Sequence, residues 1–417
     1  MFQVLSGAWA LLLGMMLLQV GNGMQGTLLG IRGALEGFST FEMSVVMSSY
    51  FLGFLFGSRM APEMIRRVGH VRVFAALGSM ISAVLILYPT VTEPWAWSVG
   101  RLVIGFCFSG VYVTAESWLN NSASNETRGK ALSLYMMVQM VGIVSAQGIL
   151  VLADPSGYVL FVIPSVLVSL AFAPILLSVS PTPAFATTKP LSLRQIMKIS
   201  PLGSVGMLLT GGVFAAQFGM AAVYGSEAGL SVGEISTFVA AFYVAAVVAQ
   251  YPLGWLSDRM DRRKLIAGVS LITGLGGVLG MMLGDDFVFL LLAAVLVGGS
   301  SNPLYSLLIA YTNDFLDHDD MAAAAGGMVF INGLGAIAGP LMVGWMMGVM
   351  GPGGYFLYIA VLMFAMVGYA LYRMTKRAAP TVAQTESYMP VSPSSSPMAV
   401  EFAQEVAIES AQDENQG

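Results

Sequence analysis

Between two long apolar stretches stands Gly254-Trp-Leu-Ser-Asp-Arg-Met-Asp-Arg-Arg263. Asp258, Arg259, Asp261, Arg262 and Arg263 crowd charge into it, in a chain where only 10% of residues are charged. A soluble protein carries about 25%. A charged knot between apolar runs reads as a short loop joining two helices. The composition around it, 56% hydrophobic with a mean hydropathy of +0.77, places the chain in the membrane class.

Outward from this loop, apolar runs recur, each about as long as the roughly 20 helical residues that cross a hydrocarbon core. About twelve are countable, centred near Met16, Phe51, Met80, Gly110, Val141 and Leu167, then near Gly212, Tyr243, Gly274, Leu296, Gly335 and Met363. Backbone groups in lipid must be satisfied within each segment, so α-helices are expected. A β-barrel would show alternating segments of about ten residues, and none are visible. The N-terminal run has no preceding basic residue and no small-residue cleavage site, so it reads as a first span. Cys107 is the only cysteine, and His70 and His318 fall in polar connections, so neither a disulfide, a metal site nor a cofactor is expected.

With a cytoplasmic N-terminus and alternating crossings, 16 of the 18 Lys and Arg fall on inner connections. Only Arg32 and Arg101 lie elsewhere, while the opposite face carries acids such as Glu93, Asp154 and Asp286. The pattern predicts both termini in the cytoplasm and the protein in a bacterial inner membrane. The expected organisation is an N-terminal half at 1–180, a central cytoplasmic loop at 181–201, a C-terminal half at 202–377 and a disordered acidic tail at 378–417. That tail holds six acids and no base, so the net charge of −5 belongs to it and says nothing about substrate.

Shifting the sequence by 192 residues lays Arg66-Arg-Val-Gly-His-Val-Arg72 over Asp258–Lys264, as a parallel repeat of two six-span halves requires. The loop at Gly254–Arg263 resembles the G-x-x-x-D-R-x-G-R-R signature of the major facilitator superfamily (MFS) of secondary transporters, with Asp261 where the second glycine usually sits. The resemblance covers roughly residues 7 to 375 and is closest to the YcaD-like bacterial branch and its drug and sugar transporter relatives. It implies an all-α membrane protein with twelve transmembrane helices in two six-helix pseudo-symmetric halves. It also implies a gate, in which Gly254, Asp258, Arg259, Arg262 and Arg263 act at the inner surface, with Asp258 and Arg259 meeting the start of the fifth span at Glu126–Ala131. In the first half Arg66 stands where the Asp belongs. Opposite it lies the acidic segment Asp314–Asp320, so Arg66 and Arg67 are expected to pair with Asp317, Asp319 or Asp320, unless those acids cap the eleventh helix.

Charges inside a bilayer are expensive and mark candidate sites. Arg101 heads Arg101-Leu-Val-Ile-Gly105, resembling the family's R-x-x-x-G signature, and either faces the central cavity or snorkels outward. Arg32 stands four residues before Glu36, as an interfacial pair or a coupling element. Glu116 lies about 22 Å along the helix from Arg101 and is a candidate for proton coupling, gating or capping. Gln19, Asn22 and Gln25 share one face of the first span, where they line a cavity or bond a neighbour. Gln139, Gln147, Gln217 and Tyr224 are similar candidates, as are Asn302, Tyr305 and Asn332. Pro303 predicts a bend in the tenth span, and the glycines of Gly333–Gly344 predict close helix packing.

No P-loop, metal cluster, activated nucleophile or dinucleotide fingerprint is present, so an enzyme or an ATP-driven pump is not expected. The leading expectation is a secondary transporter of a small organic solute by alternating access, coupled to a proton or another ion. Amides and Arg101, rather than an intramembrane acid, favour a neutral, zwitterionic or anionic solute. A multidrug efflux antiporter and a non-transporting sensor or scaffold are the alternatives. The expected partners are the solute, the lipid bilayer and a coupling proton, with no nucleic acid and no second subunit.

Overall fold

The computed structural model describes residues 2–123, 125–177, 191–378, 385 and 387–414. Positions 181–190 of the expected central loop, Lys189 among them, lie outside the described residues, as do the side chains of Glu126 and Asp319. Every regular element among the described residues is helical. The first half contributes α1 (Phe2–Leu35), α2 (Thr40–Val68), α3 (His70–Leu87), α4 (Pro94–Ser122), α5 (Asn125–Leu150) and α6 (Val159–Leu177). A short α7 (Leu193–Ile199) precedes α8 (Pro201–Ala215), a π-helical turn (Ala216–Met220) and α9 (Ala221–Glu227), which together make one span. Then come α10 (Val232–Ser257), α11 (Arg262–Leu283), α12 (Phe287–Asn313), α13 (His318–Met350), α14 (Gly354–Met374) and α15 (Pro397–Glu414).

Among the described residues, ten spans are long and apolar enough to cross a membrane. The other two of the expected twelve positions hold α1 and α6. These are helices of 34 and 19 residues, and part of each lies outside the residues whose side chains are described.

The chain divides into two compact units, Met1–Thr187 with Phe218–Ala240, and Thr188–Gln217 with Ala241–Gly417. This division differs from a cut at 181–201, because the seventh span is parted at its π turn. Within the first unit α1 packs on α9, where a Cβ on Gly30 would come 2.7 Å from that of Ala222.

Each unit is closed by glycines at helix crossings. In the first, α2 lies so close to α4 that Gly105 has no room for a Cβ beside the Tyr50 carbonyl. In the second, Gly298 is pressed in the same way against the backbone of Phe242. The 192-residue shift maps Tyr50 onto Phe242 and Gly105 to within one residue of Gly298, so the repeat extends from the loops into the helix packing. The glycine-rich stretch of α13 also has a packing partner, since Gly335 and Gly339 face the α8 backbone at Leu208 and Gly212.

The tail departs from expectation. Its described residues are packed onto the second unit, with Tyr388, Val391, Phe402 and Val406 buried. Averaged over forty residues the composition is that of a disordered segment, and averaging hides the pattern. Ala399, Phe402, Ala403 and Val406 fall at i, i+3, i+4 and i+7, one apolar helical face, and all four are buried.

Candidate functional site

Three helices of the first unit bring a continuous polar network together. On α1, Gln19, Asn22 and Gln25 face inward along one stripe, each no more than 1% exposed. Gln19 Nε2 donates to Gln139 Oε1 at 2.6 Å, and Tyr112 OH donates to Gln19 Oε1 at 2.6 Å. Asn22 Nδ2 donates to Tyr112 OH at 2.8 Å, and Gln25 Nε2 donates to Asn22 Oδ1 at 3.1 Å. Arg101 closes the chain, with Nη1 donating to Gln25 Oε1 at 2.5 Å. The i, i+3 spacing explains the arrangement, because a polar stripe turned to lipid would leave its amides unbonded.

Arg101 does not snorkel, being 0% exposed. Its guanidinium stacks 4.6 Å above the Tyr50 ring, a cation–π contact, and reaches Met47 Sδ at 3.5 Å. Two buried donors in this network have no hydrogen-bond partner among the described residues, Arg101 Nε and Gln139 Nε2. A buried donor left unbonded costs about 1–3 kcal/mol, which favours a ligand able to accept from it.

The remaining candidates separate into distinct places. Gln147 donates to the Gly23 carbonyl at 3.3 Å, and Glu116 accepts from Tyr135 OH at 3.0 Å, both inside the first unit. The rings of Tyr224 and Phe238 meet at a tilt, with centroids 5.6 Å apart. Arg32 pairs with Glu36 at 2.5 Å and donates to the Pro155 and Ser156 carbonyls, a clamp on the connection between α5 and α6. In the second unit, Gln217 sits on the π turn, donates to Ser301 Oγ at 2.6 Å and accepts from Asn302 Nδ2 at 3.0 Å. Single π turns inside α-helices often mark functional positions. Asn332 bonds the Met207 carbonyl at 3.1 Å, a packing contact, and Tyr305 is buried on α12.

Tyr50, Met47 and Tyr112 were absent from the sequence-derived candidates. For Tyr112 a signal existed. It lies eleven residues after Arg101, three turns along α4, and so shares its face. Met47 and Tyr50 lie on α2, and no local pattern ties them to Arg101.

The signature loop has its own local logic. Asp261 caps α11, its Oδ1 accepting from the Arg263 N–H at 3.0 Å, while Oδ2 pairs with Arg263 Nη2 at 2.8 Å. Burial would raise the Asp261 carboxyl, but the Arg263 hydrogen bonds outweigh it and hold the group below its ordinary value. The aligned residue in the first half is Gly69, whose φ of +85° a glycine adopts at no cost. Asp261 has φ −58°, so no glycine is needed there, and a capping acid takes the place. Asp261→Ala is expected to lower stability by about 1 kcal/mol and Asp261→Gly by only a few tenths, measured by thermal unfolding in detergent. Equal losses for the two would remove the capping argument.

Arg262 is buried and donates to Asp314, to Ser257 Oγ at 3.0 Å and to Asp258 at 3.3 Å. Arg259 lies 4.5 Å over the Trp255 ring. Asp258 also accepts from the Tyr388 N–H at 2.9 Å, a partner the sequence did not suggest. In the first unit, Arg66 and Arg67 both meet Glu63, at 2.5 and 2.6 Å, with side chains 70% and 75% exposed. Pairs so exposed contribute at most about 1 kcal/mol. Asp317 stands at the N-cap of α13 without a side-chain capping bond. The carboxylate of Asp320, on the first turn of the same helix, has none of the ion pairs found among the described residues.

The family model described as Major Facilitator Superfamily matches residues 11–231 and 202–407. The MFS-type transporter YcaD of Escherichia fergusonii is 26% identical over 341 residues, covering 81% of this chain and 88% of that protein. The YcaD of an Escherichia coli O7:K1 strain is 27% identical over 345 residues, with the same coverage. Among solved structures, the nucleoside transporter NupG superposes with a TM-score of 0.73 at 14% identity, over 87% of this chain and 98% of that one. A bacterial homologue of the human lysosomal transporter Spinster gives 0.70 at 15% identity, over 88% and 94%. Family model, relatives and fold agree, and the chain belongs to the Major Facilitator Superfamily, as an integral membrane transporter and not an enzyme.

Proposed function

We propose that this facilitator moves a small polar organic solute by alternating access, and that Arg101 with the α1 amides receives an anionic or strongly accepting group of that solute. The observation that carries this reading is the state of Arg101. Among the described residues it has an amide, a thioether and an aromatic ring as partners and no carboxylate, and its Nε–H is unbonded. A buried cation without a counter-ion is costly, and an incoming carboxylate or phosphate offsets that cost. Glu116, buried and bonded to Tyr135, is the proposed proton-coupling acid. The gate roles of Asp258, Arg259, Arg262 and Arg263, and of Arg66, Arg67, Asp317 and Asp320, rest on the signature and its repeat. The inner-membrane location and the cytoplasmic termini rest on the distribution of the basic residues, and function as a monomer is proposed with them.

The test is a thermal-shift screen of the purified protein against small organic acids, sugars, nucleosides and lipophilic cations at two pH values, followed by flux of the stabilising compounds into proteoliposomes. A ligand at a hundred times its Kd stabilises by about 2.7 kcal/mol, well within detection. Stabilisation and flux are expected for anionic or zwitterionic solutes. Uptake of lipophilic cations with indifference to organic acids would overturn the assignment.

A further inference from the structure

The second unit carries a groove beside the signature loop, and the chain fills it with its own tail. Tyr388 is the central residue. Its N–H donates to Asp258 Oδ1 at 2.9 Å, and its hydroxyl accepts from Gln250 Nε2 at 2.8 Å. Its ring lies over Gly254, where a Cβ would come 2.7 Å from ring carbon Cδ1. The first residue of the signature must therefore be glycine for Tyr388 to seat there, and the signature's aspartate is one of its polar anchors.

Three residues on, the tail is held through its backbone. Ser306 Oγ on α12 donates to the Val391 carbonyl at 2.9 Å and accepts from the Val391 N–H at 2.9 Å. Further on, Gln404 of α15 donates to Asn313 Oδ1 at 3.0 Å, and the apolar face of α15 is buried, with α13 beside it. Burial pushes the Glu401 carboxyl up to about 7, with Glu405 adding to the shift, as expected of a helix lying against protein rather than water.

Depth distinguishes a plug from a surface contact. Gln250 lies seven residues before the end of α10, and Ser306 seven before the end of α12. At 1.5 Å per residue each is about 10 Å in from its helix end. The tail enters between the two helices instead of resting across their ends.

We propose that residues Tyr388–Glu414 are an intramolecular plug, seated in the α10–α12 groove of the second unit and occupying the signature residues Gly254 and Asp258. While it is seated, Asp258 Oδ1 accepts from both the Tyr388 N–H and Arg262 Nη2, so a further donor competes with the tail for that oxygen. Seating is a property of the second unit alone. Only its consequence for transport, a restrained gate, rests on the gate reading above.

The experiment needs no substrate. In a Cys107→Ala background, Ser306→Cys places one thiol under the tail, and a membrane-impermeant maleimide is applied to inside-out vesicles. With the full chain, labelling is expected to be about 10-fold slower than in a chain ending at Ala378, the protection that a local opening equilibrium gives. Tyr388→Ala in the full-length chain should give intermediate rates, and guards against a truncated chain that folds poorly. A synthetic peptide of residues 385–414, added to the truncated chain, should restore protection. Equal labelling of full and truncated chains would overturn the proposal. So would a thiol that stays unreactive in both, because something other than the tail would then cover Ser306. Protection that tracks the tail, without any change in solute flux, would leave the plug standing and refute the gate reading.

Discussion

Asp314→Ala is expected to destabilise the protein by about 3–5 kcal/mol, the effect of removing one partner of a buried ion pair. Both side chains are shut away from solvent, Arg262 at 1% exposure and Asp314 at 1%. Arg262 cannot neutralise itself, since a guanidinium stays protonated at any working pH. Without Asp314 it keeps the Ala310 carbonyl, Ser257 Oγ and a longer contact to Asp258, whose side chain is 39% exposed. None of these replaces a buried carboxylate. Asp314→Asn should fall between wild type and alanine, because it keeps an acceptor and loses the charge. The double change Arg262→Met with Asp314→Leu should recover most of the loss, as no charge is then stranded. Thermal unfolding of the four proteins in one detergent decides the matter, and an Asp314→Ala protein that melts with wild type would sink the argument.

Arg101→Lys is expected to disable solute recognition while leaving the fold largely intact. Lysine keeps the charge, but it is a compact ammonium without the planar fork. It cannot hold Gln25, reach Met47 and stack on Tyr50 at once. Removing a buried, hydrogen-bonded charge partner costs about 2–5 kcal/mol of ligand binding, so affinity should fall far more than stability. Arg101→Met should add a stability loss of about 1–3 kcal/mol, because the Gln25 acceptor loses its donor. The readouts are the midpoint of thermal unfolding without solute and the solute-induced shift with it. If Arg101→Lys keeps the full shift, the guanidinium is not the recognition group and the anionic-solute proposal falls with it.

How far the site could be read from sequence depends on the range of the interaction. The stripe Gln19, Asn22, Gln25 is local, fixed by the helical repeat, and its inward orientation followed from the cost of unbonded amides in lipid. Whether those amides line an empty cavity or bond one another was left open. The structure joins them to Gln139, Tyr112 and Arg101 in one chain. Arg32 with Glu36 was legible for the same reason as the stripe, being four residues apart on one helix. Arg262 with Asp314 was not, since 52 residues separate them, and the acidic segment was instead read as a partner for Arg66 and Arg67. Those two arginines meet Glu63, one turn away on their own helix.

The tail shows the converse. Its helical period was present in the sequence, but its mean composition argued for disorder, and only a partner surface makes an apolar face of two alanines, a phenylalanine and a valine worth ordering. Gly254 and Asp258 carry the same lesson. As letters in a signature they identified a superfamily and the loop between two spans. That Gly254 leaves room for the Tyr388 ring, and that Asp258 accepts its N–H, depends on chain segments 130 residues apart.

By itself the sequence determined the helices, their membrane character, the repeat and the family, because hydrophobic periodicity, charge asymmetry and a short motif are local properties of the chain. The tertiary structure decided which buried polar groups share partners, where glycine rather than any other residue is obligatory, and what the tail covers. Those outcomes are set by the packing of helices distant in sequence, where a difference of a few ångströms selects one partner over another.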